Sequence, residues 1–332
     1  MRGSTISSWA LLVAKALRAA GHDSDYLFRS AGLDPAKLND PDARYPIEGM
    51  SRLWRLAVRV TADPYFGLKA ASFWHPTTLN ALGYSWMASD SLRDAMMRMA
   101  RYGRLATTGA DMSLEEFDDY FTFKLQTRTP ETDVPNEAID AALATLVRMC
   151  RVSYGDDFHP LKVVTQRPEF DDPSRYLEYF CAPVEFSADD NVVYFSKESL
   201  ESHLPTANPR LARINDQVIT EYLAQFDKRS TSTRVRAKLI HLLAAGNVTQ
   251  QDVAESLHMS LRTLQRKLSE ENTSYKTLLD ETRKELANQY LRQACLSVSE
   301  VTYLLGFSEP SNFARAFKRW TGHTPSEFRT AA

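Results

Sequence analysis

The chain has 332 residues, of which 43% are hydrophobic and 25% charged, a composition typical of a soluble globular protein long enough for two domains. No stretch approaches the apolar length of a membrane span, and Lys15 and Arg18 interrupt the apolar run near the N-terminus, which favours a core helix over a signal peptide. The three cysteines lie far apart in no metal-type spacing, which indicates reduced thiols in a cytoplasmic protein.

The net charge of −2 is unevenly distributed along the chain. Residues 231–332 hold 14 Lys and Arg against 10 Asp and Glu, whereas residues 1–230 hold 26 against 32. A mildly basic end on an acidic body fits a nucleic-acid-binding module joined to a domain of another kind.

The first 226 residues mix helical periodicity with short strand-like runs, which predicts an α+β domain. The predicted elements are helices over residues 1–62, 92–105, 135–152, 173–180 and 211–226, a hairpin over 111–127, and strands at 161–166 and 192–195. Residues 227–234 are polar and predict a linker, and everything from residue 235 to the end has a helical pattern.

Residues 249–270 predict a first helix-turn-helix. Thr249 is placed to cap one helix and Ser260 to cap the next. On that second helix Leu264 and Leu268 face inward, so its polar face is free for a DNA groove.

Residues 297–320 predict a second helix-turn-helix. Ser297 and Glu300 fit a capping box, Gly306 suits the turn, and Pro310 suits the first turn of the second helix. The aromatic side chains of that helix point inward, which leaves a front of Asn, Arg and Ser for the major groove.

One helix over residues 275–292 joins the two motifs. Eighteen residues at about 1.5 Å each span roughly 27 Å. Successive major-groove faces on one side of B-form DNA lie about 34 Å apart, so one chain is predicted to contact two adjacent groove segments.

The candidate DNA contacts divide by chemistry into two sets. Side chains that suit base edges are Arg262, Gln265, Arg266, Glu309, Asn312 and Arg315. Side chains that suit phosphates are Lys267, Arg283, Lys318 and Thr324. For any single arginine the alternative is a solvated surface charge, and Glu309 equally suits the start of its helix.

The second motif closely resembles the signature of the AraC family of bacterial transcription regulators. The matching residues are Gly306-Phe307-Ser308, Ser311, Phe313, Arg315, Phe317-Lys318-Arg319, Gly322, Thr324-Pro325 and Phe328. The first motif is similar to the family's first helix-turn-helix at Met259-Ser260, Arg262-Thr263-Leu264 and Arg266. The resemblance implies binding to double-stranded promoter DNA and contact with RNA polymerase.

A second resemblance covers roughly residues 15–210, most clearly at 82–105, 180–200 and 203–211. These segments resemble the N-terminal effector domain of one branch of AraC-type regulators, which is labelled arabinose-binding-like but lacks a β-barrel pattern. The resemblance implies an effector-binding and dimerisation domain. Members of this branch respond to amino acids, amines and other small metabolites, or have no known effector.

The sequence as a whole predicts a mainly α protein, in which an α+β effector domain (1–226) precedes an all-α domain (235–332) with two helix-turn-helix motifs. The predicted function is a transcription regulator, more specifically an activator and a candidate homodimer, controlled by a small metabolite. The alternative is an N-terminal domain that only dimerises or binds protein. The least poor candidates for effector binding are Trp74, Tyr84, Trp86, Tyr102 and Arg104, although the alternative for each is a core position.

An enzyme is a third possibility, but the sequence disfavours it, because it contains no glycine-rich phosphate loop, no nucleophile elbow and no metal-ligand cluster. We therefore predict no catalytic residue, no cofactor, no metal and no membrane partner.

Overall fold

The computed structural model describes residues 3–128, 134–170, 172–226, 231–243, 248–271, 273–291 and 296–331. The chain divides into two compact units, Met1–Ile219 and Thr220–Ala332, called here the N-terminal and C-terminal units. The first unit combines helices with a sheet and the second is helical, which confirms the predicted fold class. Among the helices of the described residues, none is both long and apolar enough to cross a lipid bilayer.

Some helices of the N-terminal unit begin at residues whose side chains accept hydrogen bonds from free backbone N–H groups. Asp23 accepts from the N–H of Tyr26, and Ser91 accepts from that of Asp94. The helices are α1 (Ser7–Ala19), α2 (Ser24–Ser30), α3 (Ile47–Thr61), α4 (Phe66–Ala71), α5 (Ala81–Met87), α6 (Leu92–Tyr102), α7 (Asn136–Tyr154), α8 (Ser174–Phe180), α9 (Lys197–Glu201) and α10 (Pro209–Phe226), the last of which continues past the unit boundary.

The N-terminal unit also contains two sheets. The strands are β1 (Ser4–Ile6), β2 (Arg44–Pro46), β3 (Ala110–Glu116), β4 (Tyr120–Thr127), β5 (Lys162–Val164), β6 (Val184–Glu185) and β7 (Asn191–Ser196). β1 pairs with β2, and the other strands form a sheet in the order β3-β4-β7-β5-β6. All pairs in this sheet are antiparallel except β5 with β6. Phe121 lies opposite Phe195 and Phe123 opposite Val193, so one face of the sheet is aromatic and buried.

The predicted hairpin over residues 111–127 is present as β3 and β4, and helices α1 to α3 lie in residues 1–62 as predicted, but two strands that were not predicted lie there as well. Strands β1 and β2 lie inside that region and pair across about forty residues, with Thr5 opposite Tyr45. Strand β6 was not predicted either. Each of these strands has only two or three residues, which is too short to carry a periodic signal.

The helices α1 to α4 and α7 of the N-terminal unit share a hydrophobic core that includes Phe28, Trp54 and Phe66. The approach of α4 to α7 depends on Gly67. A Cβ at this position would lie 2.4 Å from the carbonyl oxygen of Glu137, so only glycine allows the two helices to meet as closely as they do.

The C-terminal unit consists of short helices around one hydrophobic core. They are α11 (Thr231–Leu243), α12 (Gln250–Ser256), α13 (Leu261–Glu270), α14 (Tyr275–Leu291), α15 (Val298–Leu304), α16 (Pro310–Thr321) and α17 (Pro325–Ala331). The core includes Leu264 from α13, Leu286 from α14 and Phe317 from α16. Because α11 contacts α12, α13 and α14, and α14 contacts α15, α16 and α17, both helix-turn-helix motifs are built on the same interior.

The first helix of the C-terminal unit begins earlier than predicted, at Thr231 rather than at residue 235. Residues 227–230 of the predicted linker lie outside the described residues, but residues 231–234 belong to α11. The carboxylate of Glu271 accepts from the backbone N–H groups of Thr231 and Ser232 at 2.5 and 2.8 Å. Because this cap comes from a residue forty positions away, the local polar sequence gave no sign that the helix begins here.

Candidate nucleic-acid interface and effector cavity

The first helix-turn-helix consists of α12 and α13. Thr249 and Asp252 form a capping box at the start of α12, and the Ser260 hydroxyl accepts from the Thr263 N–H at the start of α13. His258 turns the chain between the helices with φ of 54°. Leu264 and Leu268 are buried, so the opposite face of α13 is turned to solvent.

The second helix-turn-helix consists of α15 and α16. Ser297 and Glu300 form the predicted capping box. Gly306 takes φ of 68° in the turn, a conformation that glycine adopts without strain. Phe313 and Phe317 are fully buried, and Pro310 occupies the first turn of α16 as predicted.

The base-edge candidates are exposed on α13, on α16 and immediately before α16, and their present partners are local. These residues are Arg262, Gln265, Arg266, Glu309, Asn312 and Arg315. Arg266 pairs with Glu270 one turn along α13, and Arg315 donates to the Asn312 side-chain oxygen at 2.7 Å. Exposed contacts of this kind contribute about 0–1 kcal/mol, so DNA bases can replace them at little cost.

The phosphate candidates other than Arg283 lie at or near the ends of α13, α16 and α17. Lys318 is exposed, and Lys267 is half-buried. Thr324 begins α17, where its hydroxyl accepts from the N–H of Glu327 and its own N–H donates to the Glu327 carboxylate. The side chain of Thr324 therefore already stabilises a helix start.

The structure gives Arg283 a different role from the predicted phosphate contact. Its guanidinium donates from Nε to the carbonyl of Leu305 at 2.9 Å and from Nη2 to that of Gly306 at 3.0 Å. It also lies 4.3 Å from the centre of the Phe307 ring. Burial lowers the pKa of Arg283 below its ordinary value. Arg283 therefore holds the turn of the second motif against α14.

Arg319 was not among the predicted DNA contacts, although it follows Arg315 by one turn of α16. The side chain of Arg319 is largely exposed, and it pairs with Asp280 of α14 at 3.3 Å. The spacing of four residues from Arg315 was the signal that places both side chains on one face.

The N-terminal unit contains a cavity of about 140 Å³. Its walls come mainly from α3, α7 and one face of β3 and β4, and single residues of β1, α1 and α6 contribute. Trp9, Trp54 and Phe123 supply aromatic surface, and methionines and aliphatic residues supply most of the remainder. Among the described lining residues, the polar side chains belong only to threonine and serine.

None of the five predicted effector-binding residues is among the residues that line this cavity. Trp74, Trp86 and Tyr102 are buried elsewhere, Tyr84 is exposed and Arg104 is half-buried. The indole N–H of Trp86 donates to the hydroxyl of Ser153 at 3.1 Å, which is a core contact. The prediction therefore fails for this cavity, because a gap between non-adjacent elements leaves no local mark on the sequence.

In the described part of the N-terminal unit, buried charged side chains form two ionic networks. Arg98 of α6 pairs with Asp216 of α10 at 3.1 Å, and the hydroxyl of Ser85 donates to the same carboxylate at 2.6 Å. These contacts fix the first part of α10 against α5 and α6.

The second network joins Arg167 to Asp140 and Glu137 of α7, and Tyr176 donates to Asp140 at 2.8 Å. The backbone carbonyl of Pro64 also accepts from Arg167. Burial raises the pKa of Asp140 to about 7, while the charge of Arg167 and the Tyr176 hydrogen bond act in the opposite direction.

Comparison with known proteins gives two matches to family models. A model described as the arabinose-binding domain of AraC transcription regulators, N-terminal, matches residues 21–204. A helix-turn-helix domain model matches residues 253–331.

Curated relatives resemble the chain along most of its length. The chain is 30% identical over 307 residues to the ornithine utilization regulator of Pseudomonas aeruginosa, and this alignment covers 92% of the chain and 90% of that protein. It is 23% identical over 315 residues to the transcriptional regulator VirS of Mycobacterium tuberculosis, and this alignment covers 94% of the chain and 92% of VirS. The crystal structure of the regulator CdpR from Pseudomonas aeruginosa aligns with a TM-score of 0.47 and 21% identity, over 92% of this chain and 96% of that chain.

Proposed function

Since the chain belongs to the AraC family of transcription regulators, we propose that it is an activator controlled by a small metabolite bound in its N-terminal unit. The chain is a regulator and not an enzyme. We also propose the predicted division of labour, with effector binding in residues 1–226 and DNA binding from α11 onwards. Promoter DNA and RNA polymerase are the proposed partners, and the cytoplasm is the proposed compartment.

One observation carries the DNA-binding proposal: α13 and α16 both expose a polar front while their apolar backs enter the same core. The 17 residues of α14 extend for about 25 Å between the two motifs. With the added turns, this length suits major-groove segments about 34 Å apart. We propose that α13 binds one segment and α16 the next.

We propose that the two sets of contacts do different work. The base-edge residues on or just before the recognition helices would give specificity. They are Arg262, Gln265, Arg266, Glu309, Asn312 and Arg315. Lys267, Lys318 and Thr324 would contact phosphates together with backbone N–H groups at helix starts. Arg283 is omitted because its guanidinium already binds two carbonyls.

The cavity supports control by an effector. A domain that only dimerised or bound protein would be expected to have a filled interior, because empty volume removes packing contacts. The volume of about 140 Å³ in the N-terminal unit favours a ligand instead.

A different observation supports the alternative of a dimerisation module. Leu211, Ile214 and Val218 lie on one side of α10, and each side chain is nearly half exposed. Such a stripe suits pairing with a second copy, and pairing is compatible with effector binding. We therefore propose a homodimer in addition to ligand control.

The proposal is tested by removing one arginine from each recognition helix. Arg266→Ala and Arg315→Ala should each weaken binding to the selected operator by about 1–3 kcal/mol and binding to random DNA much less. The affinities are measured by fluorescence anisotropy on operator and scrambled duplexes at fixed salt.

The matched control is Arg236→Ala, which removes the same charge from α11, where the side chain pairs with Glu281. It should leave operator specificity unchanged. If either recognition-helix variant lost affinity equally for both duplexes, its arginine would contact only the DNA backbone. The specificity assigned to that arginine would then be wrong.

A further inference from the structure

The described residues of the cavity walls carry no charge that could neutralise a charged ligand. Among the described residues that line the cavity there is no Asp, Glu, Lys, Arg or His. Moving an ion from water into such a site costs several kcal/mol per charge unless a counter-charge is present. Amino acids, polyamines and carboxylates are therefore poor occupants.

The few polar side chains also exclude a strongly hydrogen-bonding ligand such as a sugar. Two of the lining hydroxyl groups already have partners in the protein. The Thr5 hydroxyl donates to the carbonyl of Ala106 at 2.9 Å, and the Thr107 hydroxyl accepts from the N–H of Gly109 at 3.1 Å. A sugar would bury more hydroxyl groups than these walls can satisfy.

Thr145 differs from several other threonines in helices. The hydroxyls of Thr61, Thr282 and Thr302 donate to the carbonyl four residues earlier, at 2.7, 2.6 and 2.9 Å. Thr145 lies within α7 and lines the cavity, yet its buried hydroxyl has no hydrogen-bond partner in the structure. Because this oxygen has almost no accessible surface, the Thr145 side chain must turn about χ1 to present its hydroxyl to a ligand oxygen, and that turn breaks no hydrogen bond.

The volume limits the size of the occupant. A cavity of about 140 Å³ is close to the roughly 150 Å³ engineered cavity that takes benzene in an apolar interior. The part of the occupant that the walls enclose therefore has the size of a single aromatic ring or of an aliphatic chain of similar volume.

We infer that the effector is an uncharged, mainly apolar small molecule with one oxygen function, seated between α3, α7 and the β3–β4 face, and that the Thr145 hydroxyl binds this oxygen. The inference rests on the proposed control by a metabolite and narrows the chemical class of that metabolite.

The test uses the full chain and size-matched probes. Toluene and benzyl alcohol are neutral, benzoate and benzylammonium are charged, and L-arabinose is neutral but strongly polar. Binding is measured by the shift in Tm and by tryptophan fluorescence, to which Trp9 and Trp54 in the cavity wall contribute. We expect the first two probes to bind with concentration-dependent increases in Tm and the other three to have no effect.

Two variants locate the binding site. Ala142→Leu places extra volume at a residue that lines the cavity and should abolish binding of both neutral probes. Thr145→Val should lower the affinity for benzyl alcohol about tenfold relative to the affinity for toluene, without lowering the Tm of the free protein. Thr282→Val is the matched control, because it loses a hydrogen bond in the C-terminal unit and should lower stability without changing the ratio of the two affinities.

The outcomes separate the ligand class from the proposed regulation. Binding of a charged probe, or of no probe at all, would overturn the inferred class, as would unchanged affinities in Ala142→Leu. Operator binding is then measured with and without benzyl alcohol. If the probe occupied the cavity without changing operator binding or promoter activity, the ligand class would stand and metabolite control would fail.

Discussion

The two units differ in whether they bury charged side chains. In the N-terminal unit Arg98, Asp140 and Arg167 are at most 5% exposed and lie in ionic networks. In the described part of the C-terminal unit, the buried polar side chains are all threonines. The C-terminal unit therefore keeps its ionised groups at or near the surface.

This difference follows from what each unit has to hold in position. Buried ion pairs contribute little net stability compared with apolar packing, but their geometry fixes the elements that carry them. In the N-terminal unit the Arg98 and Arg167 networks hold α7 and α10, and α7 forms one wall of the cavity. Exposed cations in the C-terminal unit remain able to exchange counterions for DNA phosphates.

The largest predicted effect concerns the filled core of the C-terminal unit. Phe317→Ala should reduce local stability by about 3–5 kcal/mol, because the side chain is fully buried against Phe313 and Phe328 and its removal leaves a cavity. Hydrogen exchange of backbone amides in residues 297–328 measures the loss. The exposed Tyr303→Ala is the control, and normal protection in Phe317→Ala would contradict the importance of this packing.

The next effect concerns the buried charges of the N-terminal unit. A pKa of about 7 for Asp140 in the folded protein lies above the value near 3.9 in unfolded chains. The folded state therefore binds the Asp140 proton more tightly than the unfolded state does. The stabilisation that this proton gives the folded state is complete below pH 4 and is lost as pH rises through 7. We expect stability to fall by about 2 kcal/mol between pH 5 and pH 7 from this group.

Asp140→Asn removes the titrating group and isolates its contribution. The unfolding free energy of wild type minus that of the variant should fall by about 2 kcal/mol between pH 5 and pH 7. Urea denaturation and hydrogen exchange of α7 measure it. A constant difference would mean that Arg167 keeps the carboxylate ionised, and the contrast between the units would then rest on ion pairing alone.

The smallest effect tests whether Arg283 braces the fold or binds DNA. Arg283→Ala and Arg283→Lys should each cost about 1–2 kcal/mol, because lysine cannot reproduce the two donors or the stacked plane over Phe307. Exchange of the amides in residues 305–307 measures this cost. A lysine variant with wild-type protection and wild-type affinity for DNA would restore the phosphate role.

Local patterns predicted the parts of the fold whose causes are local. The capping box of Ser297 and Glu300, the glycine turn at Gly306 and the inward aromatic residues of α16 can each be predicted within a few residues of sequence. The alternation of residues 111–127 likewise predicted the β3–β4 hairpin. The exposed faces of α13 and α16 follow from the same periodicity.

Features that depend on distant residues could not be predicted in this way. The start of α11 depends on Glu271, the pairing of β1 depends on β2, and Arg283 is engaged by carbonyls more than twenty residues away. The cavity is the extreme case, because it is the volume that several elements fail to fill. The residues predicted to bind the effector were therefore prominent aromatic residues such as Trp86, which is buried in a core contact with Ser153.

The core shared by the two helix-turn-helix motifs has a consequence for the promoters this protein can use. One inserted base pair moves the second DNA segment by about 3.4 Å and rotates it by roughly 35°. In the proposed binding mode, the shared packed interior opposes that screw motion, so the spacing between the two DNA segments would be as much a part of the recognition sequence as the bases themselves.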